Sequence, residues 1–556
     1  MNNWWDKLGL PQYGGELVIR GNRNIANFDP YFDESSLCSI HGAWMERLVC
    51  DDWTLDPAVW DYKLGWHPIQ YKKGQLAESW EFTDQSTHVV HLRKGIHWQD
   101  KPPANGREFI ADDVVFHFKR LYGPNGDFTK PSLFHVGINS FPDLASITAA
   151  DKYTVVFKFK TPNPEAILWT LHNFSLALCL ENPDAVKKWG DVSDWHHAIG
   201  TGPFILNDFA SEGSATLAKN PNYWGCDERY PQNKLPYVDA VKYLIIPNME
   251  EALAKMCAGE IDVIDGVSPM QAKIVQKTNP EILQIPTPVA PAPSVDLRFD
   301  MAPLSDIRVR KAMQMSIDLP TIARTYYQGL VDPYPATITT RFLKGWGFAY
   351  EEWPQDLKGE YTYNPTMAKK LLADAGHPNG FKTNVVANSA GDIELLQIVK
   401  TYFSQVGIDM EILMLNPNEW QGYIRAKKHD QLTYQPYGPF GHTHEPERQI
   451  GRFSMDLFSA DLANKALAAS RIHDSATIKK LLKDANERAA RQHFSISLLE
   501  PMSYSLCQPW LKGFNAQIHS TWMGGGGPCM ASFYLGRFWI DQKLKNLSLK
   551  TKNLQS

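Results

Sequence analysis

The cluster with the strongest metal-binding character is His442-Thr443-His444-Glu445. Imidazole is a common ligand for nickel, copper and zinc, and two imidazoles beside a carboxylate are the start of such a site. Two histidines at i and i+2 with no third ligand in sequence also suit a polar loop whose rings cap turns or meet solvent. The spacing therefore leaves both readings open. His196-His197 stands just before the turn Gly200-Thr201-Gly202 and reads as structural. The acid pairs Asp51-Asp52 and Asp112-Asp113 read as solvated or helix-start carboxylates, which the positive end of a helix dipole favours.

Covalent and phosphate chemistry find no carrier. There is no G-x-x-x-x-G-K-[ST] cradle, no G-x-S-x-G elbow and no H-E-x-x-H pair. The run Gly524 to Gly527 lacks the spacing and the βαβ context of a dinucleotide site and reads as a flexible loop. No activated nucleophile and no complete metal set is visible, so the expectation is a binder rather than an enzyme, without cofactor or resident metal.

Composition narrows the class. The chain has 556 residues, enough for three or four domain-sized units. With 43% hydrophobic and 21% charged residues it buries a large core and is not broadly disordered. The net charge is −5 and Lys and Arg are scattered, so no nucleic-acid partner is expected. The longest apolar-leaning run, Ala166 to Leu180, contains His172 and Asn173 and is shorter than the roughly 20 residues that span a bilayer. The start, Met1 to Asp6, has neither a basic n-region nor an apolar h-region. That fits a cytoplasmic protein and fits equally an exported one that has lost its leader. The seven cysteines form no C-x-x-C pair, and their odd number leaves at least one thiol unpaired within the chain. Eighteen tryptophans are many; some belong to the core, and others suit a cleft wall that grips a ligand face.

Strand and helix signals interleave, which predicts an α/β or α+β chain. Glu16 to Arg20 follows Gly14-Gly15 and predicts a strand. Glu78 to Phe82 and His88 to Arg93 flank a turn, and Tyr153 to Lys160 alternates with period two. Helices are predicted behind Asn248, from Asp306 to Ser316, behind Asn364-Pro365 and from Asp474 to Ala490.

Several stretches, in fixed order, resemble the family 5 extracellular solute-binding proteins of ABC importers, the oligopeptide, dipeptide and nickel group. They are Leu76 to Phe82, His91 to Trp98, Phe109 to Phe118, Gly200 to Phe204, Asn220 to Trp224, Ala258 to Val263, Asp306 to Ala312 with Ile317-Asp318 and Gln328-Gly329, and Tyr363 to Pro365. The resemblance implies an α/β, two-lobed periplasmic-binding-protein-like fold (type II, cluster C) with an additional domain on the first lobe. Domain I would comprise 1–47, 200–287 and 513–556, domain II 48–199 and domain III 288–512. Gly200 to Pro203 would be a chain-reversing crossover whose glycines permit unusual backbone angles, and Tyr223-Trp224 would pack beneath the Asn220-Pro221 turn.

The same resemblance implies function. A solute is captured between the lobes by hinge closure and handed to the permease and ATPase subunits of an importer. The protein would be a monomer in the periplasm or on the outer face of the cytoplasmic membrane, touching the membrane only through a lipid anchor. Peptide-binding relatives hold the ligand backbone as an added strand and set an Asp against its α-amino group. Here the corresponding segment runs from Tyr434 to Pro446; Glu445-Pro446 matches the relatives' second acid-Pro, and His442 falls near the place of the amine-binding Asp. An imidazole is a poor partner for an ammonium, so an acid from elsewhere, such as Asp33 or Glu34, would be needed. The expected ligand contacts are Asp33, Glu34, Ser35, Trp346, Trp420, Tyr437, Phe440, His442 and His444. A peptide-like solute is the first expectation. An oligosaccharide or glycoside is the alternative that the aromatics Trp346, Trp420, Tyr437 and Phe440 suggest, and a nickel or other metal chelate is the one that His442 and His444 suggest.

Overall fold

The computed structural model describes residues 3–22, 24–25, 27–30, 40–59, 71–123, 144–162, 179–288, 293–336, 348–389, 391–425, 428, 431–435, 475–516 and 534–555. The chain divides into two compact units, 1–287 with 503–556 and 288–502.

The first unit is built on a seven-stranded mixed sheet. Its order is Leu283–Pro288, Met502–Cys507, Val263–Val267, Glu16–Gly21, Ala240–Ile245, Ser214–Lys219, Phe204–Ala210. Glu16–Gly21 runs parallel to both of its neighbours, with Leu17 opposite Val241 and Ile19 opposite Val263. Alternation buries Leu17, Ile19 and Gly21 on one side of the strand. Met502–Cys507 pairs antiparallel with Val263–Val267, so the chain has re-entered the first unit by Ser503.

Helices Met249–Ala258 and Pro269–Thr278 cover one face, burying Ala252, Met256, Ala272 and Val275 against Ile264 and Leu506. Each starts where the sequence provides a cap: the Asn248 side chain accepts from Glu251 N, and the Ser268 side chain from Gln271 N. Such a cap stabilises by about 1 kcal/mol relative to Ala. The first helix stops at Gly259, which is left-handed.

A separate four-stranded antiparallel sheet lies in the same unit, ordered Ala77–Asp84, Thr87–Leu92, Thr154–Phe159, Leu144–Asp151. Helix Ala111–Tyr122 packs on it through Val114, Phe118 and Leu121, against Val90, Ile147 and Phe157. The acid pairs divide: Asp112 and Asp113 are helix-start acids as expected, Asp112 exposed, whereas Asp51 is neither solvated nor at a helix start. Asp113 is a helix-start acid, but a buried one: it accepts from Ile110 N, Trp98 Nε1 and both terminal nitrogens of Arg107. Asp51 is buried in an ion pair with Lys72, while Asp52 meets Lys73 at 2.8 Å.

The family-like motifs converge on one buried carboxylate, Glu46, which has no exposed surface. It accepts from Tyr223 Oη at 2.8 Å, Trp224 Nε1 at 2.9 Å and Gln75 Nε2 at 3.2 Å, with Thr201 as a fourth partner. Burial raises its pKa, and these hydrogen bonds pull it back part of the way. Beside it, Gly200 and Gly202 are glycines for space rather than for unusual angles: a methyl on either would run into the Trp44 backbone. Gly202 N donates to Trp44 O at 2.9 Å.

The second unit holds a five-stranded sheet in the order Ile408–Leu415, Phe381–Asn388, Leu432–Gln435, Ser294–Leu297, Ser495–Ser497. The first three strands are mutually parallel, and Ser294–Leu297 is antiparallel to both of its neighbours. Helix Ile393–Gln405 connects two parallel strands and buries Leu396, Val399 and Phe403 against Val385, Ala387, Ile408 and Met410. Helices Ile307–Met315 and Pro365–Asp374 start at Asp306 and Asn364, whose side chains accept from Arg308 N and Met367 N. Ser475–Gln492 forms the long helix expected there.

Candidate functional site

In open sheets with parallel strands, ligands bind outside the carboxyl ends of those strands. Each unit has one such edge. In the first unit the edge polar groups are largely engaged. Arg20 donates from Nε to Ile246 O and from Nη2 to Pro247 O, both at 2.8 Å. Asp265 Oδ1 accepts from Ser505 Oγ at 2.5 Å. The Tyr243 hydroxyl is buried without a partner among the described residues, and burial followed by the Asp265 charge pushes its pKa up.

In the second unit the edge is formed by Asn388, Leu415 and Gln435. The turn after Asn388 is tight: Gly391 N donates to Asn388 O at 2.8 Å. A side chain at Gly391 would crowd Asn388 O at 3.1 Å and Tyr434 Cε1 at 3.3 Å, so glycine is what lets this turn lie on the Tyr434 ring. Asp392 then caps helix Ile393–Gln405, its Oδ1 accepting from Leu395 N at 3.0 Å and from Tyr326 Oη at 2.7 Å. Tyr326 and Tyr327 meet edge to face with centroids 4.9 Å apart. The hydroxyls of Tyr327 and Tyr434 are buried and have no hydrogen-bond partner among the described residues. Burial, then the nearby Asp392 charge, raises both phenols, and burial with the Asp392 hydrogen bond raises Tyr326. An unpartnered buried hydroxyl costs about 1–3 kcal/mol, so this edge carries hydrogen-bonding capacity that the described residues leave unused.

Of the residues expected from the sequence to touch ligand, only Trp420 lies among the described ones. It is buried on the second unit's sheet with Nε1 3.4 Å from Val386 O, the geometry of a packing side chain. Asp33, Glu34, Ser35, Trp346, Tyr437, Phe440, His442 and His444 lie outside the described residues. His196 and His197 sit in a short turn of helix: His196 Nδ1 is 2.7 Å from Asp194 Oδ1, and His197 stacks on Trp189 at 3.9 Å. Among the described residues no group of three or more His, Cys, Asp or Glu could hold a metal ion, and no helix is long and apolar enough to cross a membrane. Tyr326, Tyr327 and Asp392, which form this edge cluster, were not singled out from the sequence. The signal was there: a Gly-Asp pair between an apolar strand and an amphipathic helix marks the carboxyl-end turn of a parallel strand.

Mixed sheets with helical cover, in two units linked by two chain crossings, are the fold seen in solved two-lobed periplasmic binding proteins. A solved structure of that class, the ABC transporter-associated periplasmic binding protein DppA from Helicobacter pylori in complex with the peptide STSA, aligns with TM-score 0.72 and 21% identity over 96% of this chain and 99% of its own. Residues 73–446 match the family "Bacterial extracellular solute-binding proteins, family 5 Middle". The chain belongs to the family 5 extracellular solute-binding proteins of ABC importers, which are binders and not enzymes. Curated relatives include Heme-binding protein A of Haemophilus influenzae, 26% identical over 80% of this chain and 83% of that protein. The Dipeptide-binding protein of Escherichia coli is 27% identical over 69% of this chain and 70% of its own.

Proposed function

We propose that this protein is the extracytoplasmic substrate-binding component of an ABC importer and that its cargo is peptide-like. The observation that carries the reading is the family match together with the similarity to a dipeptide-binding protein over most of both chains. The first unit would contain domain I and an additional domain II built on the four-stranded sheet, and the second unit would be domain III up to 502, with 503–512 of the expected domain III falling in the first unit. The solute would be captured in an interlobe cleft. The two crossings, near 287 and near 502, would act as the hinge. A solute that touches both units only when they close binds the closed state better and shifts the population toward it. The closed form is then what a permease reads. The protein acts as a monomer in the periplasm or on the outer face of the membrane, held there by a lipid anchor.

The similarity to Heme-binding protein A supports a second reading, in which the cargo is a metal chelate of tetrapyrrole type. A thermal-shift panel separates the two. A ligand at about 100 times its Kd stabilises by about 2.7 kcal/mol. Di- to pentapeptides should raise the unfolding midpoint and hemin should not. A shift with hemin alone selects the second reading. A panel in which neither class shifts the midpoint contradicts both.

A further inference from the structure

We propose that the four-stranded-sheet part of the first unit braces the solute-facing edge of the seven-stranded sheet, with Arg120 as the positioning residue and Asn27 to Pro30 as the segment it holds. The inference rests on the solute-binding reading and gives the additional sheet a task within it.

The segment follows a strand end of the kind that faces ligand. Glu16–Gly21 runs parallel to both of its neighbours, so the chain that leaves it emerges at a carboxyl edge. The large-sheet side fixes the first part of the path. The Asn24 side chain donates to Ser211 Oγ and accepts from Glu212 N, both at 3.0 Å. Ile25 and Phe28 bury in the core of the large sheet, and His41 Nε2 donates to Phe28 O at 2.7 Å. Asn27 Oδ1 accepts from Asp29 N at 2.7 Å, which folds the segment on itself.

From Phe28 onward a second set of partners comes from the other sheet. Phe28 N donates to Ser193 O at 3.1 Å, and Asp29 Oδ2 accepts from Val192 N at 3.3 Å. Val192 belongs to the core of the four-stranded sheet. Asp29 Oδ2 also pairs with Arg120, on the helix Ala111–Tyr122 that packs on that same sheet. Asp29 is only 4% exposed, so the pair is largely closed to water. Arg120 is itself held: its Nη1 meets Glu181 Oε1 at 3.3 Å, and Glu181 Oε2 lies 2.5 Å from His117 Nδ1, both of these side chains being fully buried.

Magnitude singles out Arg120 among these contacts. A charge-assisted hydrogen bond is about twice as strong as a neutral one. Removing it also leaves the Asp29 carboxylate buried without this cation, and the segment relieves that by lifting toward water. A segment held in place before the solute arrives spares the cost of ordering it on binding, so losing the brace lowers affinity.

The test is hydrogen–deuterium exchange by mass spectrometry on the full-length protein, with trialanine titrated by calorimetry. In Arg120→Gln the amides of residues 24–30 should exchange at least about ten times faster, and trialanine affinity should fall about tenfold, the size expected for one lost charge-assisted contact. Arg120→Lys, which restores the charge, should recover part of both. Val114→Ala is the control: Val114 is buried on the same helix, so this variant loses stability through its core and should keep both readouts at wild-type values. If Arg120→Gln does not fold, Asp29→Asn takes its place, since it removes the charge and keeps an acceptor for Val192 N. Unchanged exchange at 24–30, or an equal rise in Val114→Ala, overturns the brace. Faster exchange with unaltered trialanine affinity overturns its role in solute capture. Faster exchange in a protein whose wild type takes no trialanine supports the brace and counts against the peptide reading instead.

Discussion

The molecule carries two buried polar clusters of opposite design. Around Glu46 in the first unit, a fully buried carboxylate is met by Tyr223, Trp224, Gln75 and Thr201. Around Asp392 in the second unit, one carboxylate oxygen is used twice while two buried phenol hydroxyls stand idle. A satisfied network rigidifies and specifies a fold, whereas an unsatisfied one costs stability that a ligand can restore. The first cluster is therefore read as architecture, while the second carries buried hydroxyls that the described residues leave unpaired.

Removing the acceptor of the satisfied cluster should have the largest effect. Glu46→Ala leaves several buried donors without partners, each worth about 1–3 kcal/mol, and should lower unfolding free energy in urea by more than about 3 kcal/mol. Solute affinity of the molecules that remain folded should change little. An unaltered urea midpoint would break the architectural half of the comparison.

Gly200→Ala tests the same region through space. The added methyl would run into the Trp44 carbonyl, and overpacking of this kind costs about 1–3 kcal/mol. A variant as stable as wild type would show that the Trp44 backbone yields freely.

Acid should reveal a third carboxylate. Burial alone would raise Glu181, but the His117 charge and hydrogen bond, helped by Arg120, outweigh it and hold the group at about 2. A depressed carboxylate stabilises the fold above its unfolded pKa, about 4.3, and the contribution is lost as pH falls through the folded value. Urea midpoints should therefore drop between about pH 4.5 and 2, and Glu181→Gln should flatten that drop. Profiles of equal slope would contradict the assignment.

The smallest change belongs to the unsatisfied cluster. Tyr434→Phe removes a hydroxyl with no partner, so calorimetry should find the free protein within about 1 kcal/mol of wild type or slightly more stable. A marked loss of stability would place Tyr434 with the architectural residues instead.

This contrast also explains what could be read without a structure. Asn248, Asp306 and Asn364 announce helix starts because a cap is a local event, and all three cap as expected. The alternation in Glu16–Gly21 and Thr154–Phe159 is equally local. The motifs at Gly200 and Tyr223 were legible as markers of a fold, but their shared target, Glu46, was not, because Glu46 and Tyr223 are brought together only by tertiary packing. Asp51 was misread for the same reason: Lys72, its partner, arrives on a paired strand. The Asp392 cluster was not legible because Tyr326, Tyr327 and Asp392 are ordinary residues made unusual only by tertiary packing at a strand edge. Trp420, an aromatic expected to meet ligand, is buried with its indole nitrogen toward Val386 O, a contact that the sequence does not announce.

Small-angle X-ray scattering tests the central claim most directly. Profiles of the full-length protein are compared before and after saturation with whichever compound raises the unfolding midpoint. Capture between two units predicts a smaller radius of gyration with the solute bound and a return to the open value after dialysis. Superimposable profiles at demonstrated saturation would contradict capture by closure.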